Sequence, residues 1–371
     1  MLNFRTILTV GLVVALCGHV FLYFTAVRFF SITRRAYRLG IAGLLAFLFA
    51  SAPLSGYVAH LADNAPTRVY YVFGWAWMGL FLYLLMAAVA GWLALGVGRL
   101  AGRRADAALI GGILFCAAFF YSAHGVWNAF HPVVKNVDVT IKGLPDRWKG
   151  RTIVQLSDVH LGHVYRAGFM RKVVDKVNAI HPDMIVITGD LFDGMDGTLP
   201  ELVEPLKDLK APEGVYFITG NHENFLGADK AYSMMKDTGV TVLNDEVRDV
   251  DGLQLAGVSY PERGKVRDKV PGRLLRTLPG FAPGKPTVLL YHAPVYIKEA
   301  MEAGVGLQLS GHTHEGQLFP FGFVTRRVYK GYDYGLHTIG DCSVYTSCGV
   351  GSWGPPMRTG NTPEIVDIRL D

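Results

Sequence analysis

The pattern of apolar positions divides the chain into two unlike parts. Up to His131, apolar residues run almost without interruption through four segments, at residues 7–27, 39–61, 69–97 and 107–130. Each segment is about as long as the roughly 20 residues that a helix needs to cross a bilayer. The pattern therefore predicts a region of four transmembrane helices over residues 1–131, followed by a second domain over residues 132–371.

From Asp138 onward, short apolar runs alternate with turn residues and with stretches of helical periodicity. Six runs are typical of buried strands, at residues 152–156, 184–188, 215–219, 253–258, 287–291 and 307–309. Between the first two runs, Phe169, Val173, Val177 and Ile180 recur at helical spacing, which predicts a helix whose apolar face covers a sheet. Strands alternating with helices indicate an α/β fold.

Composition and charge support a membrane anchor. Half of the 371 residues are hydrophobic, 18% are charged, and the mean hydropathy is positive. Nine of the 36 basic residues and two of the 31 acidic residues occur up to His131, which leaves 27 and 29 in the rest of the chain. The larger part is therefore slightly acidic. Nucleic-acid binding is not expected, because it requires a clustered surplus of positive charge.

The arginines of the first part predict its orientation. They follow the first and third apolar segments: Arg28, Arg34, Arg35, Arg38, Arg99, Arg103 and Arg104. Because basic loops stay in the cytoplasm, four spans would put everything after residue 130 on the exoplasmic side. In a bacterium this is the periplasmic or cell-surface side of the inner or plasma membrane. A cleaved signal peptide in place of the first span is the alternative, and it would reverse the orientation.

Two cysteines leave the redox state open. Cys342 and Cys348 are close enough in sequence for a small-loop disulfide in an oxidising compartment, and two free thiols are equally compatible with the pattern. No cysteine spacing indicates a zinc site.

Residues that bind metals follow most of the predicted strands. They occur in five places, and in order they are Asp158, His160, Asp190, Asp193, Asn221, His222, Glu223, His292, His312 and His314. A single short motif of this kind is usually a turn or a cap. Five in succession, each after an apolar run, indicate one crevice, because the carboxyl ends of strands in α/β sheets face the same side.

The residue types indicate the chemistry of this crevice. Carboxylate, imidazole and amide oxygen ligands suit Mn, Fe or Zn. Two such ions, roughly 3.5 to 4 Å apart, can bind the attacking and phosphoryl oxygens in a phosphoryl-transfer reaction. One carboxylate must then be shared between the ions. The sequence therefore predicts a dinuclear metal centre that hydrolyses a phosphate ester or anhydride.

These residues resemble the calcineurin-like metallophosphoesterase family. Its pattern of DxH, GDxxD, GNH(D/E), H and GHxH is present complete and in order, and the resemblance covers roughly residues 153–370. The apolar first third and the closing stretch at residues 351–365 are most similar to the transmembrane metallophosphoesterase subgroup. The resemblance implies a four-layer α/β/β/α sandwich, with two mixed sheets between helices.

The resemblance also implies a role for each residue. One metal would be held by Asp158, His160, Asp190 and His314, and the other by Asp190, Asn221, His292 and His312. Asp190 would be the bridge between them. His222 would contact the phosphate or protonate the leaving oxygen, with Glu223 or Asp193 as its partner.

Other residues are candidates for substrate contact. Arg358 could clamp phosphate or form a structural salt bridge, and His163 could contact substrate or face solvent. Glu315 departs from the Gly that many relatives have after the last motif, which affects the expected shape of the site. The basic residues between 263 and 276 could face an anionic substrate or headgroup, or solvent. Residues 319–334 mix aromatic and basic side chains, as membrane-interface surfaces or ordinary rim packing do.

The expected function is a membrane-anchored, two-metal phosphohydrolase that acts on a phosphorylated small molecule or lipid, such as an envelope or lipid-linked phosphate. One alternative, which the resemblance suggests, is a cytoplasm-facing pyrophosphohydrolase of a UDP-linked acylated sugar. Another is a non-catalytic membrane sensor that binds metal or phosphate. A sensor would be expected to have lost a ligand, and every motif residue is present.

Overall fold

A computed structural model of the chain describes residues 4–194, 199–261 and 271–371. The chain divides into two compact units. The first contains Met1–Val126 with Gly354–Met357, and the second contains Trp127–Trp353 with Arg358–Asp371. The domain boundary expected between residues 131 and 132 stays a prediction.

In the part of the chain that the structure describes, four long apolar helices precede the sheets. They are α1 (Phe4–Phe29), α2 (Arg35–Leu61), α3 (Ala65–Leu100) and α4 (Ala107–Ala129). All four are long and apolar enough to cross a membrane, judged by length and composition. Helix α3 starts at a capping box, in which the Asn64 side chain accepts from the backbone of Thr67 and the Thr67 side chain accepts from the backbone of Asn64. The predicted helical region is confirmed, with ends that differ by a few residues.

Twelve strands form two six-stranded sheets in the described part of the chain. The first sheet has the order β1-β12-β2-β3-β4-β5, with β1 (Val133–Val139), β2 (Thr152–Leu156), β3 (Met184–Ile187), β4 (Val215–Phe217), β5 (Thr241–Val242) and β12 (Glu364–Leu370). The second has the order β10-β11-β9-β8-β7-β6, with β6 (Glu246–Val250), β7 (Leu253–Val258), β8 (Thr287–Tyr291), β9 (Leu307–Ser310), β10 (Gly335–Ile339) and β11 (Cys342–Thr346).

Both sheets are mixed, but their centres are parallel. Strands β2 to β5 are parallel to one another, and so are β7, β8, β9 and β11. The antiparallel pairs are β12 with β2, β6 with β7, and β10 with β11. The carboxyl ends of the central strands of each sheet therefore lie at one edge of that sheet.

Within the described residues, seven α-helices accompany the sheets: α5 (Ala167–Ile180), α6 (Leu199–Val203), α7 (Asn221–Leu226), α8 (Ala228–Met235), α9 (Pro271–Leu275), α10 (Ile297–Glu302) and α11 (Gly322–Val328). The helix predicted between the first two strands is confirmed as α5, and its residues Phe169, Val173 and Val177 are buried. The helix ends at Ile180, and the left-handed conformation of the next residue, His181, stops it.

The side chains of successive strand residues point to opposite faces, and this builds the layers. In β2, Ile153 joins a core with Val288 and Leu307 of the second sheet, so this core lies between the sheets. Its neighbour Val154 joins a core with Val173 of α5 on the outer face. A third core packs the second sheet against α9 and α10. The predicted four-layer α/β/β/α arrangement is confirmed.

Two predictions outside the site concern the cysteine pair and the basic stretch between residues 263 and 276. Cys342 and Cys348 are free thiols, and both are buried; the disulfide is not formed. Burial raises the pKa of the Cys342 thiol to about 11. Most of the basic stretch between residues 263 and 276 lies outside the described residues, and the described Arg276 donates to the carbonyl of Glu302.

Candidate metal centre

Strand ends position the predicted metal ligands. Asp158 follows β2, Asp190 follows β3, Asn221 begins α7 after β4, and His292 directly follows β8. Several of these residues have left-handed backbone conformations, with φ of 52° at Asp158, 49° at Asp190 and 72° at His312. Such conformations cost about 1 to 3 kcal/mol each in residues other than glycine and concentrate at functional sites.

A first group joins Asp158, His160 and His314. Their candidate ligand atoms all lie within 4.8 Å of one another. His314 Nε2 is 3.3 Å from Asp158 Oδ1 and 3.1 Å from His160 Nε2. All three side chains are buried. Loops from β2 and β9, which belong to different sheets, therefore meet at one point.

A second group joins Asp190, His292 and His312, also with ligand atoms within 4.8 Å of one another. His292 Nε2 lies 3.1 Å from Asp190 Oδ2 and 3.2 Å from His312 Nδ1. His292 Nδ1 lies 2.8 Å from the carbonyl oxygen of Thr188 and donates to it. This contact orients the ring so that Nε2 faces the group, as the outer partners of metal-binding histidines do.

Asn221 has an unsatisfied oxygen. Its Oδ1 is buried and accepts a hydrogen bond from none of the described residues. A buried acceptor without a donor costs about 1 to 3 kcal/mol, and a cation would satisfy it. Together with three carboxylate or imidazole ligands in each group, this oxygen fits the two-metal site that the resemblance implies. The role of each residue as a ligand stays a prediction.

Charge coupling is strong in the second group. Burial opposes ionisation of Asp190, yet the neighbouring His292 ring holds its pKa well below the usual value. Burial likewise opposes protonation of His292, but Asp190 raises the pKa of that ring to about 10. Burial and then the His292 charge lower the pKa of His312 to about 3. Asp190 is therefore a stable anion in the centre of the site.

Two carboxylates hold the loops in place. Both oxygens of Asp158 accept from the backbone N–H of His312, at 3.1 and 3.0 Å. Glu223 accepts from the backbone N–H groups of Asp190, Phe192 and Gly220 at 2.9, 3.0 and 2.6 Å. Its two oxygens thus tie the β3 loop to the β4 loop. Burial, followed by the Asp190 charge, raises the pKa of Glu223 to about 7.

The partners of His222 differ from the sequence expectation in detail. His222 Nδ1 lies 3.0 Å from the backbone carbonyl oxygen of Asp193 and 3.8 Å from Asp193 Oδ1. The Asp193 carboxylate is nearer to His160, at 3.3 Å from Nδ1. Of the two candidate partners, the geometry favours Asp193, acting through its backbone, whereas Glu223 is engaged by backbone N–H groups. Burial and then His160 lower the pKa of His222.

Arg358 is fully buried beneath the first group. Its Nε donates to Gly351 O, Nη1 to His314 O and Asn361 Oδ1, and Nη2 to Gly351 O and His314 Nδ1. These contacts use all five N–H donors of the guanidinium. The geometry therefore favours a structural role over the expected phosphate clamp, with carbonyl, amide and imidazole acceptors in place of a carboxylate. Burial and then Arg358 hold the pKa of His314 well below its usual value.

Two further expectations concern the loops. His163 is only 4% exposed, so the solvent-facing alternative is wrong, and its contact with substrate stays a prediction. Glu315 has φ of 48°, a left-handed conformation that favours glycine. Burial and then the charge of Asp333 raise the pKa of Glu315 to about 7.

An aromatic rim surrounds the site. Tyr329 and Trp353 belong to the stretches 319–334 and 351–365 that the sequence marks, whereas Phe225 and Tyr260 were not predicted. The rings of Phe225 and Trp353 lie 5.2 and 6.1 Å from the His222 ring and are 62% and 57% exposed. The rings of Tyr260 and Tyr329 lie 5.8 and 6.1 Å from the His312 ring. Tyr260 had a usable signal, because it follows the parallel strand β7 as the ligands follow the other strands.

A cavity of about 460 Å³ borders this rim. Apolar side chains dominate its lining, among them Tyr296, Ile297, Met301, Val328 and Tyr329. Tyr296 lies four residues after His292, and Tyr329 is the rim residue beside His312. Its volume is within the range of small-molecule sites, which are also mostly apolar.

Comparisons with known proteins agree with this geometry. The profile of a family described as calcineurin-like phosphoesterase matches residues 151–316. A "transmembrane protein with metallophosphoesterase domain" of Bos taurus is 36% identical over 67% of this chain and 60% of its own length. An "uncharacterized metallophosphoesterase" of Aquifex aeolicus is 33% identical over 59% of this chain and 84% of its own length. Another of that description, from Helicobacter pylori, is 32% identical over 66% of each chain.

The chain belongs to the calcineurin-like phosphoesterase family, as its fold and its grouped Asp and His side chains indicate. The family resemblance read from the motifs is confirmed. The chain spans 66% of the length of the Helicobacter relative and 60% of the bovine one.

Proposed function

We propose that the chain hydrolyses phosphate esters or anhydrides at a centre of two metal ions. The proposed ligands are Asp158, His160, Asp190 and His314 for one ion and Asp190, Asn221, His292 and His312 for the other. The proposal rests on the two groups of carboxylate and imidazole ligands described above, which come from loops that are far apart in sequence and are buried except for the partly buried His312. The buried Asn221 oxygen without a donor supports it.

The contacts of the side chains around the proposed metal centre support a role for each of them. When bound, the metal ions supply an activated water and neutralise the charge of the phosphoryl group. Asp190 stays ionised because His292 lowers its pKa, which suits a carboxylate that two cations share. The contact of His222 Nδ1 with Asp193 O leaves Nε2 for the substrate; once Nε2 has taken up a proton, it could bind the phosphate or protonate the leaving oxygen. Glu223 keeps the β3 and β4 loops in register.

We further propose that the substrate is an amphiphilic phosphate, lipid-linked or from the envelope, that the site meets on the exoplasmic side. The exposed aromatic rim and the apolar cavity favour a substrate whose phosphate adjoins an apolar group. On α11, Phe323 and Val328 are 72% and 64% exposed. Exposed apolar surface next to a site is typical of ligand or membrane contact.

A paired substitution tests the centre. Asp190→Asn removes the proposed bridging charge, and we expect purified full-length protein to lose more than about 100-fold of its activity, since even outer partners of metal ligands contribute 10- to 100-fold. Metal content, measured by mass spectrometry after dialysis, should fall with it. Asp175→Asn, the same change on the exposed face of α5, should leave both unchanged. Wild-type activity and metal content in Asp190→Asn would refute the assignment.

A substrate panel tests the reaction class. Wild-type protein is assayed with mono-aryl and bis-aryl phosphates, nucleotide-sugars, and lipid phosphates of short and long acyl chains, each with Mn, Fe, Zn or a chelator. We expect metal-dependent turnover and the highest kcat/KM for long-chain lipid phosphates. Turnover that is indifferent to chain length would reject the apolar subsite but keep the hydrolase. Metal binding without turnover of any substrate would favour the sensor.

A further inference from the structure

A second cavity, of about 480 Å³, lies where α1 and α3 end and α4 begins. Four arginines from three chain segments line it. Arg28 is in the last turn of α1, Arg99 is in the last turn of α3, and Arg103 and Arg104 are in the loop before α4. All four are exposed. The mouth of this cavity therefore carries a concentrated positive charge.

The inner wall of the cavity is apolar and fixed. Phe29, Trp92 and Leu95 line it, and the rings of Phe29 and Trp92 are 5.2 Å apart. A Cβ placed on Gly91 of α3 or Gly111 of α4 would lie 2.7 or 2.6 Å from the Phe29 ring. Two helices thus pack closely around one aromatic side chain, which gives the cavity a defined floor.

The charge of the cavity is unbalanced. The lining contains four arginines and one carboxylate, Asp106. Asp106 Oδ1 accepts from the backbone N–H groups of Ala108 and Leu109 at 2.8 and 3.1 Å, so it caps the start of α4. The cavity therefore retains a surplus of cationic donors for an external anion.

Membrane topology alone does not explain this arrangement. Arginines that only keep a loop in the cytoplasm need charge but no cavity. The α3–α4 loop is in addition folded tightly, because Arg103 N donates to Gly98 O at 2.9 Å and Gly102 N donates to Arg99 O at 3.1 Å. These bonds bring Arg99 and Arg103 to the same cavity. Arg34, which precedes α2, and Arg35, its first residue, do not line it.

We propose that this cavity binds the phosphate headgroup of an anionic phospholipid. The ends of helices that are long enough to cross a bilayer lie at headgroup depth. Guanidinium groups bind phosphate through paired donors, and the apolar floor suits the first carbons of the lipid. Basic pockets between transmembrane helices are a known way of holding such headgroups. This site is independent of the proposed hydrolytic function.

Lipid binding by purified full-length protein in detergent micelles tests the proposal. Phosphatidylglycerol, phosphatidylcholine and inorganic phosphate are titrated, and bound lipid is counted by native mass spectrometry. We expect wild-type protein to prefer phosphatidylglycerol. Arg99→Gln with Arg103→Gln should weaken this binding about 25-fold, at about fivefold per basic group near an anionic surface. The matched control, Arg34→Gln with Arg35→Gln, should bind as wild type does.

Several results would overturn the proposal. Equal weakening in both double variants would indicate diffuse surface charge. An equal affinity for phosphatidylcholine, or for inorganic phosphate without lipid, would reject an anionic phospholipid as the ligand. Micelles expose both faces of the protein, so a variant with altered topology gives the same readout. If the Arg99 and Arg103 double variant does not fold, Arg103→Gln alone, in the loop, should weaken binding about fivefold.

Discussion

His314 belongs to the first ligand group and also contacts a buried guanidinium. Its Nε2 is close to Asp158 and His160, and its Nδ1 contacts Arg358 Nη2 at 2.9 Å. A guanidinium can only donate, and its charge disfavours protonation of the ring. Arg358 therefore acts through His314 as a positioning residue: burial and the Arg358 charge keep the ring uncharged, and the contacts of Arg358 with Nδ1 and with the His314 carbonyl hold the ring in place.

Replacing Arg358 by Lys distinguishes this role from a phosphate clamp. Lys cannot reproduce the five donors of the guanidinium, so we expect metal retention against a chelator to fall about 10- to 100-fold. At saturating metal, KM for substrate should be close to the wild-type value. A phosphate clamp would instead raise KM at saturating metal. Arg171→Lys, on the exposed face of α5, is the control for both measurements.

Which strands could be predicted depended on how they are buried. Strands β2, β3, β7 and β8 are buried along nearly their whole length and therefore appear as continuous apolar runs. Strand β1 is mostly exposed, and β10 alternates between exposed and half-buried residues. Strand β1 exists because it pairs in parallel with β12, more than 200 residues away. No local pattern carries that information.

The same distinction applies to the site. The predicted ligands could be found because each follows a strand that the sequence reveals, and parallel strand ends converge. Arg358 reaches His314 from 44 residues away, and the Trp353 ring meets His222 across the site. These contacts depend on how the closing stretch packs, which residue type and spacing do not determine. The backbone contacts of Glu223 were likewise not predicted, because an acidic residue beside a motif histidine was interpreted as a partner of that histidine.

The approach of the β4 loop to the β3 loop requires glycine at position 220. A Cβ on Gly220 would lie 2.2 Å from Asp190 Oδ1 and 2.6 Å from its backbone nitrogen. Asp190 Oδ1 also accepts from His222 N at 2.9 Å, so the carboxylate cannot shift without losing this contact. Gly220→Ala should therefore displace Asp190 and lower kcat about 100-fold, as misplacement by about 1 Å can.

Gly168→Ala is the matched control for that substitution. Gly168 lies in α5, and a Cβ there would meet no atom within 4 Å. Activity should be unchanged, and the free energy of unfolding should rise by up to about 1 kcal/mol, because alanine restricts the unfolded chain. Activity and metal content are measured for both variants, Gly220→Ala and Gly168→Ala. Wild-type values in Gly220→Ala would show that the two loops are not held as closely as described.

At the scale of the whole molecule, charge and hydropathy both separate the first 131 residues from the rest. These residues combine four apolar helices with all of the chain's surplus positive charge, and the loops of the sheets carry the candidate metal ligands. The arginines concentrate after α1 and after α3, which lie on one face if all four helices span. One set of charges can thus orient the chain and, in the arginine-lined cavity, bind lipid.

The charge distribution also predicts on which side of the membrane the segment after α4 lies. With four spans and basic loops inside, the segment that follows α4 is exoplasmic. In a bacterial host, alkaline phosphatase fused after Asp371 should therefore be active and a fluorescent protein at the same point dark. Fusions after Gly102, in the α3–α4 loop, should give the opposite pair of results. A C-terminal reporter that works only in the cytoplasm would reverse the orientation and favour a cytoplasmic substrate, such as a UDP-linked acylated sugar, while leaving the metal centre unaffected.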